Sequence, residues 1–120
     1  MKKLLVKLSV FAALAMGLAS LAINAHAQLA RNFPPDSKLG ELTAMQYPVV
    51  EISGQTLRLG AGGQIRGRNN LIILPAMLTE AGSIRYQIDT TGNVHRIWLL
   101  TPEEVVRSQE EAKNKSNSKQ

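Results

Sequence analysis

Between residues 40 and 101 all the basic charge is carried by arginine: Arg58, Arg66, Arg68, Arg85 and Arg96. A guanidinium presents a planar fork of donors that fits a carboxylate or phosphate two bonds at a time, whereas an ammonium acts as a point charge. The segment Arg66-Gly67-Arg68-Asn69-Asn70 puts two such forks and two amides on one expected turn. Arg85 and Arg96 fall on the two arms of an expected hairpin further along. Arg66, Arg68, Asn69, Arg85 and Arg96 are therefore the candidate anion-binding set. The competing expectation is an ordinary solvated face, with Glu41, Glu51, Glu80 and Asp89 as its counter-charges.

Other chemistries find little footing. Beyond residue 27 the only histidine is His95, expected to be partly buried in phase with Ile97 and Leu99, and no Gly-x-Ser-x-Gly elbow accompanies it. Glu41, Glu51 and Glu80 stand singly, and no acid pair sits in an apolar frame. Asp89 precedes a turn, where it is expected to accept backbone bonds from Thr91 or Gly92. Gly60-Ala61-Gly62-Gly63 lacks the Lys-Ser/Thr that completes a phosphate-binding loop. The chain has no cysteine, which removes disulfides and thiolate zinc sites. Calcium needs a denser set of oxygen ligands. No catalytic residue, metal or cofactor is expected, and the chain reads as a non-enzyme. Trp98 and Tyr86 are read as large core fillers rather than stacking platforms.

The N-terminus supplies context. Lys2, Lys3 and Lys7 precede an apolar run from Leu8 to Leu21, and Ala25-His26-Ala27 forms a small-x-small site before Gln28. This pattern predicts a signal peptide, residues 1–27, cut between Ala27 and Gln28. The apolar stretch falls short of the ~20 residues of a spanning helix. The expected destination is the periplasm, or secretion beyond it, without stable membrane insertion after cleavage. Cleavage would remove three lysines and no acid, lowering the formal net charge from +5 to +2. Basicity alone is thus no argument for nucleic acid.

The elements that must position these residues are mostly strands. Residues 28–39, with Pro34-Pro35, predict an extended leader, because proline lacks a donor and restricts its predecessor. Val49–Ile52 and Thr56–Leu59 flank Ser53-Gly54-Gln55, a tight hairpin signal in which Gly54 can take a positive φ. Gly60, Gly62 and Gly63 mark a turn or bulge before Gln64-Ile65-Arg66. The apolar run Leu71-Ile72-Ile73-Leu74 predicts a central strand covered on both faces, ended by Pro75, and Pro75 to Ala81 allows a helical turn. Ser83–Asp89 should pair with Val94–Leu100 across Thr90–Asn93. Thr101, Pro102 and Glu104 form a capping-box helix start, with the helix expected to reach about Lys113. The all-polar segment 113–120 is expected to be a disordered tail. The resulting fold class is mainly β, a small barrel or rolled antiparallel sheet of OB-like or SH3-like kind over residues 40–112, with one short C-terminal helix.

The stretch Arg66–Asn70, followed by Arg85-Tyr86 and by Gly92-Asn93-Val94-His95-Arg96-Ile97-Trp98-Leu99-Leu100-Thr101, resembles small exported proteins of Gram-negative bacteria with no assigned function. The resemblance implies a periplasmic compartment and carries no activity or site. Two expectations of function follow. The first is a non-enzymatic binding or scaffold domain that works through a protein or envelope partner. The alternative is an arginine-based module for an anionic polymer, nucleic acid or acidic polysaccharide.

Overall fold

Alternating apolar residues and tight turns build a six-stranded sheet that rolls until its ends meet. The computed structural model describes residues 30–120, so the expected signal peptide 1–27 and its Ala27–Gln28 cleavage site lie outside the described residues. The strands are β1 (Lys38–Gln46), β2 (Val49–Ile52), β3 (Gln55–Arg66), β4 (Ile72–Ile73), β5 (Gly82–Ile88) and β6 (Val94–Leu99), followed by helix α1 (Pro102–Ser118).

Five strands close a ring of hydrogen bonds in the order β1, β2, β3, β6, β5 and back to β1. Strand directions cannot alternate around a ring with an odd number of members, so one seam must be parallel. That seam is β3–β6, and the other four are antiparallel. The expected rolled sheet is thus present, with one parallel pair forced by its closure. A meander, β1–β2–β3, closed by the hairpin β5–β6 follows the five-stranded plan of OB-like sheets. Short β4 adds to β3 beyond the stretch that β2 occupies, at Ile65↔Ile73 and Arg66↔Ile72.

Inside the ring lie Leu42, Val50, Ile52, Leu59, Ile65, Ile84, Tyr86, Val94, Ile97 and Leu99. Each fully buried Leu, Ile or Val contributes about 1.5–3 kcal/mol relative to exposure. Val50/Ile52 and Ile84/Tyr86 show the two-residue period that points alternate side chains inward. Gly40 on β1 has to lack a side chain, because a Cβ there would meet Ile52 Cγ2 and Tyr86 Cε1 at 2.9 Å. The expected β2–β3 hairpin is present with a turn one residue shorter than Ser53–Gln55, since Gln55 pairs with Ile52; Ser53 (φ 51°) and Gly54 (φ 78°) are both left-handed, the primed geometry that suits strand twist.

Several expectations change. The run Leu71–Leu74 is not a covered central strand. Only Ile72 and Ile73 pair, at an edge, and Leu71, Ile72 and Leu74 are exposed while Ile73 packs on the core. Pro75 ends the pairing and opens a 3-10 turn, Pro75–Met77, within the span expected to form one. His95 is exposed rather than partly buried. A bulge moves the β5–β6 register from Gln87↔Arg96 to Ile88↔Val94, which sends Val94 into the core and His95 out. The leader is shorter than residues 28–39, since β1 begins at Lys38 and Phe33–Gln120 forms one compact unit. Helix α1 continues through residues 113–118, where a disordered tail is expected. Its start is as expected: the Thr101 hydroxyl accepts from the Glu104 amide, and Glu104 accepts from the Thr101 amide.

Candidate functional site

The five residues of the expected anion set go to three different places. Arg85 is buried, 6 % exposed, on the outer face of β5. Its Nε donates to Ser108 Oγ at 3.1 Å. Its Nη1 donates to Ser37 Oγ at 3.1 Å and Ser37 O at 3.4 Å, and its Nη2 to Glu111 Oε2 at 2.7 Å. The Phe33 ring lies 5.6 Å from the guanidinium and meets the Trp98 ring edge-on at 5.8 Å. Ser108 and Glu111, three residues apart, share one helix face and meet the guanidinium together. Arg85 is therefore a clasp that holds the N-terminal segment and α1 against the sheet, and its donors are already engaged. Trp98, 7 % exposed, is a large filler as expected, though it serves this outer layer and not the interior of the ring.

Arg68 and Asn69 serve the turn after β3. Arg68 Nε donates to Leu100 O at 3.0 Å, and its Nη1 pairs with Glu80. Asn69 Oδ1 accepts from the Leu71 amide at 3.1 Å. Asn70 adopts φ 66° and its carbonyl accepts from Arg66 Nη1 at 3.0 Å.

Arg66 and Arg96 do come together. Ile65 and Ile97 face the interior, so Gln64, Arg66, Arg96 and Trp98 face outward, with Gln64↔Arg96 and Arg66↔Trp98 in register. Arg96 is exposed on the middle of this flank. Gln87, its β5 neighbour, donates to both oxygens of Asp36 at 3.0 and 2.9 Å.

At the tip of the β5–β6 hairpin, Asp89 Oδ1 accepts from Thr91 N (2.8 Å), Thr91 Oγ1 (2.6 Å) and Asn93 N (3.0 Å). The Thr91 hydroxyl is the main reason that the Asp89 carboxyl titrates below the usual carboxylate range. This is turn chemistry of the expected kind. No group of three or more acids or histidines suited to a metal ion occurs among the described residues.

A second feature was not read from the sequence. An open cleft of about 340 Å³ runs between Tyr47, Leu59, Leu74 and Pro75 over a floor of Gly60, Gly62 and Gly63. The floor exists because β3 skips from Leu59↔Val94 to Gln64↔Arg96, placing four residues opposite His95 alone. Gly62 (φ 74°) takes the left-handed turn of this bulge, and a Cβ on Gly63 would meet Leu59 at 2.8 Å. Beside the cleft the chain exposes Tyr47, Leu71, Ile72, Leu74 and Met77, each by more than half. The available signal is the apolar stretch from Leu71 to Leu78, which Pro75 breaks.

No family model, curated protein or solved structure matches the chain.

Proposed function

We propose that the chain is an exported, non-enzymatic binding domain that engages a protein or envelope partner through the cleft between Tyr47 and Leu74 and the apolar segment beside it. The supporting observation is the exposure of Leu71, Ile72, Leu74 and Met77 within seven residues. Isolated apolar side chains are ordinary on a surface, but a run of large ones beside a cleft is characteristic of contact sites. The glycine floor also brings backbone close to the surface, where a bound chain could reach it.

The reading is tested by a photo-crosslinking residue at Met77 in intact cells, with an equivalent at Val106 on α1 as the control. A discrete adduct from Met77, absent at Val106 and lost on Leu74→Asp, is the expected result. The same adducts from both positions, or none from Met77, would overturn it. Protease protection of the chain in cells with a sealed outer membrane, lost when that membrane is opened, checks the compartment.

A further inference from the structure

We infer that the outer flank formed by β3 and β6 is a binding surface for a carboxylated polysaccharide, with Arg66 and Arg96 as the principal contacts and Gln64 beside them. This surface adjoins the apolar segment, since Arg66 pairs with Ile72, but it works through charge and not through those apolar side chains. The argument begins with the distribution of charge. Across Phe33–Gln120 ten basic side chains accompany nine acidic ones, so the net charge hides the arrangement. The four consecutive strands β4, β3, β6 and β5 contain Arg58, Arg66, Arg85, Arg96 and His95, and no carboxylate. The acids fall on β1, β2, α1 and the connecting turns.

Within this flank the parallel seam matters. It aligns Gln64 with Arg96 and Arg66 with Trp98, so two guanidinium groups and an amide share one outward face. Glu111 pairs with Arg85 and Asp89 is folded into its own turn, while Asp36, on Gln87, is the one carboxylate among the described residues held beside the flank. Arg96 forms no ion pair among the described residues. Arg66 keeps one nitrogen on the Asn70 carbonyl, which steadies its fork without neutralising it.

The ligand class follows from what the surface offers and lacks. A guanidinium fork takes a carboxylate through two parallel bonds, and an amide both donates to and accepts from sugar hydroxyls. Single-stranded nucleic acid is held by aromatic platforms as well as charge. The aromatic residues of these strands, Tyr86 and Trp98, are both buried, and Phe33 is already packed on Trp98 and the Arg85 guanidinium. Two guanidinium groups on one strand face suit the repeated charges of an extended polymer better than a small anion, which needs an enclosing pocket.

The test is titration of the full chain with polygalacturonate, at low and at physiological salt, with single-stranded oligothymidylate of equal charge in a parallel arm. Binding that weakens with salt and falls about tenfold on Arg96→Gln, with a similar loss on Arg66→Gln, is expected. Lys115→Gln, on the exposed end of α1, should bind as the parent does. Because Arg96 is exposed, its variant should retain the parent's circular dichroism and thermal midpoint. No polygalacturonate binding at low salt, an equal loss on Lys115→Gln, or tighter binding of the oligothymidylate would each overturn the inference. The two readings fail separately: a missing Met77 adduct bears on the cleft, and an unchanged titration on Arg96→Gln bears on the flank.

Discussion

Replacing Arg85 by alanine should be among the most damaging single changes in this domain. The guanidinium makes bonds to Ser108 Oγ, Ser37 and Glu111, and covers Phe33. Ser108 (2 % exposed) would be left buried without its partner, whereas the Ser37 hydroxyl keeps its bond to the Pro34 carbonyl. A buried polar group that loses its bond costs about 1–3 kcal/mol, and breaking a buried ion pair by deleting one partner costs about 3–5 kcal/mol. The Glu111 side chain is half-exposed and will rehydrate, so its share is small. These contributions act on one cluster and do not add. We expect a loss of about 1–3 kcal/mol for Arg85→Ala and under about 1 kcal/mol for Glu111→Gln. Urea unfolding followed by Trp98 fluorescence measures both, since Trp98 lies against Phe33 in the same layer. The double variant Arg85→Ala, Ser108→Ala should cost less than the sum of the singles. An Arg85→Ala loss below about 1 kcal/mol, or strict additivity with Ser108→Ala, would refute the clasp.

Three further outcomes are expected. Thr101→Ala should cost about 1 kcal/mol by removing the capping hydroxyl, read as a loss of helical ellipticity and a lower urea midpoint. Gly40→Ala should destabilise by about 1–3 kcal/mol, because its Cβ would press on Ile52 and Tyr86, and thermal unfolding would show it. For Asp89 the folded carboxyl titrates below its unfolded value of 3.8. Its stabilising contribution is therefore complete above that value and is lost as pH falls through the folded one. Thr91→Val, which removes the largest cause, should raise the Asp89 titration midpoint seen by NMR; an unchanged midpoint would contradict the assignment.

Local chemistry was legible and distant partnership was not. The Thr101-Pro102-Glu104 cap and the Ser53-Gly54 turn depend on residues within four positions, and both formed as their sequences imply. Strand β1 escaped because a bulge between Leu42 and Ala44 breaks its alternation, and Gly40 interrupts it. His95 was misplaced for the same reason, since one extra residue reverses the face of all that precede it. Arg85 looked like a surface residue because its alternation with Ile84 and Tyr86 is right: it does point outward. What covers it comes from Ser37, 48 residues earlier, and Ser108, 23 later, and no local pattern announces either. Leu71–Leu74 misled because apolar content reports burial only when a partner is available to supply it.

The carboxylate-free strands give the molecule an electrical direction that its overall charge conceals. Approaching an acidic surface, such a body would be turned before it touched, presenting Arg96 and its neighbours first. Isoelectric focusing would register little of this. Encounter rates measured against ionic strength would register it clearly, because orientation by a field fades as counter-ions gather.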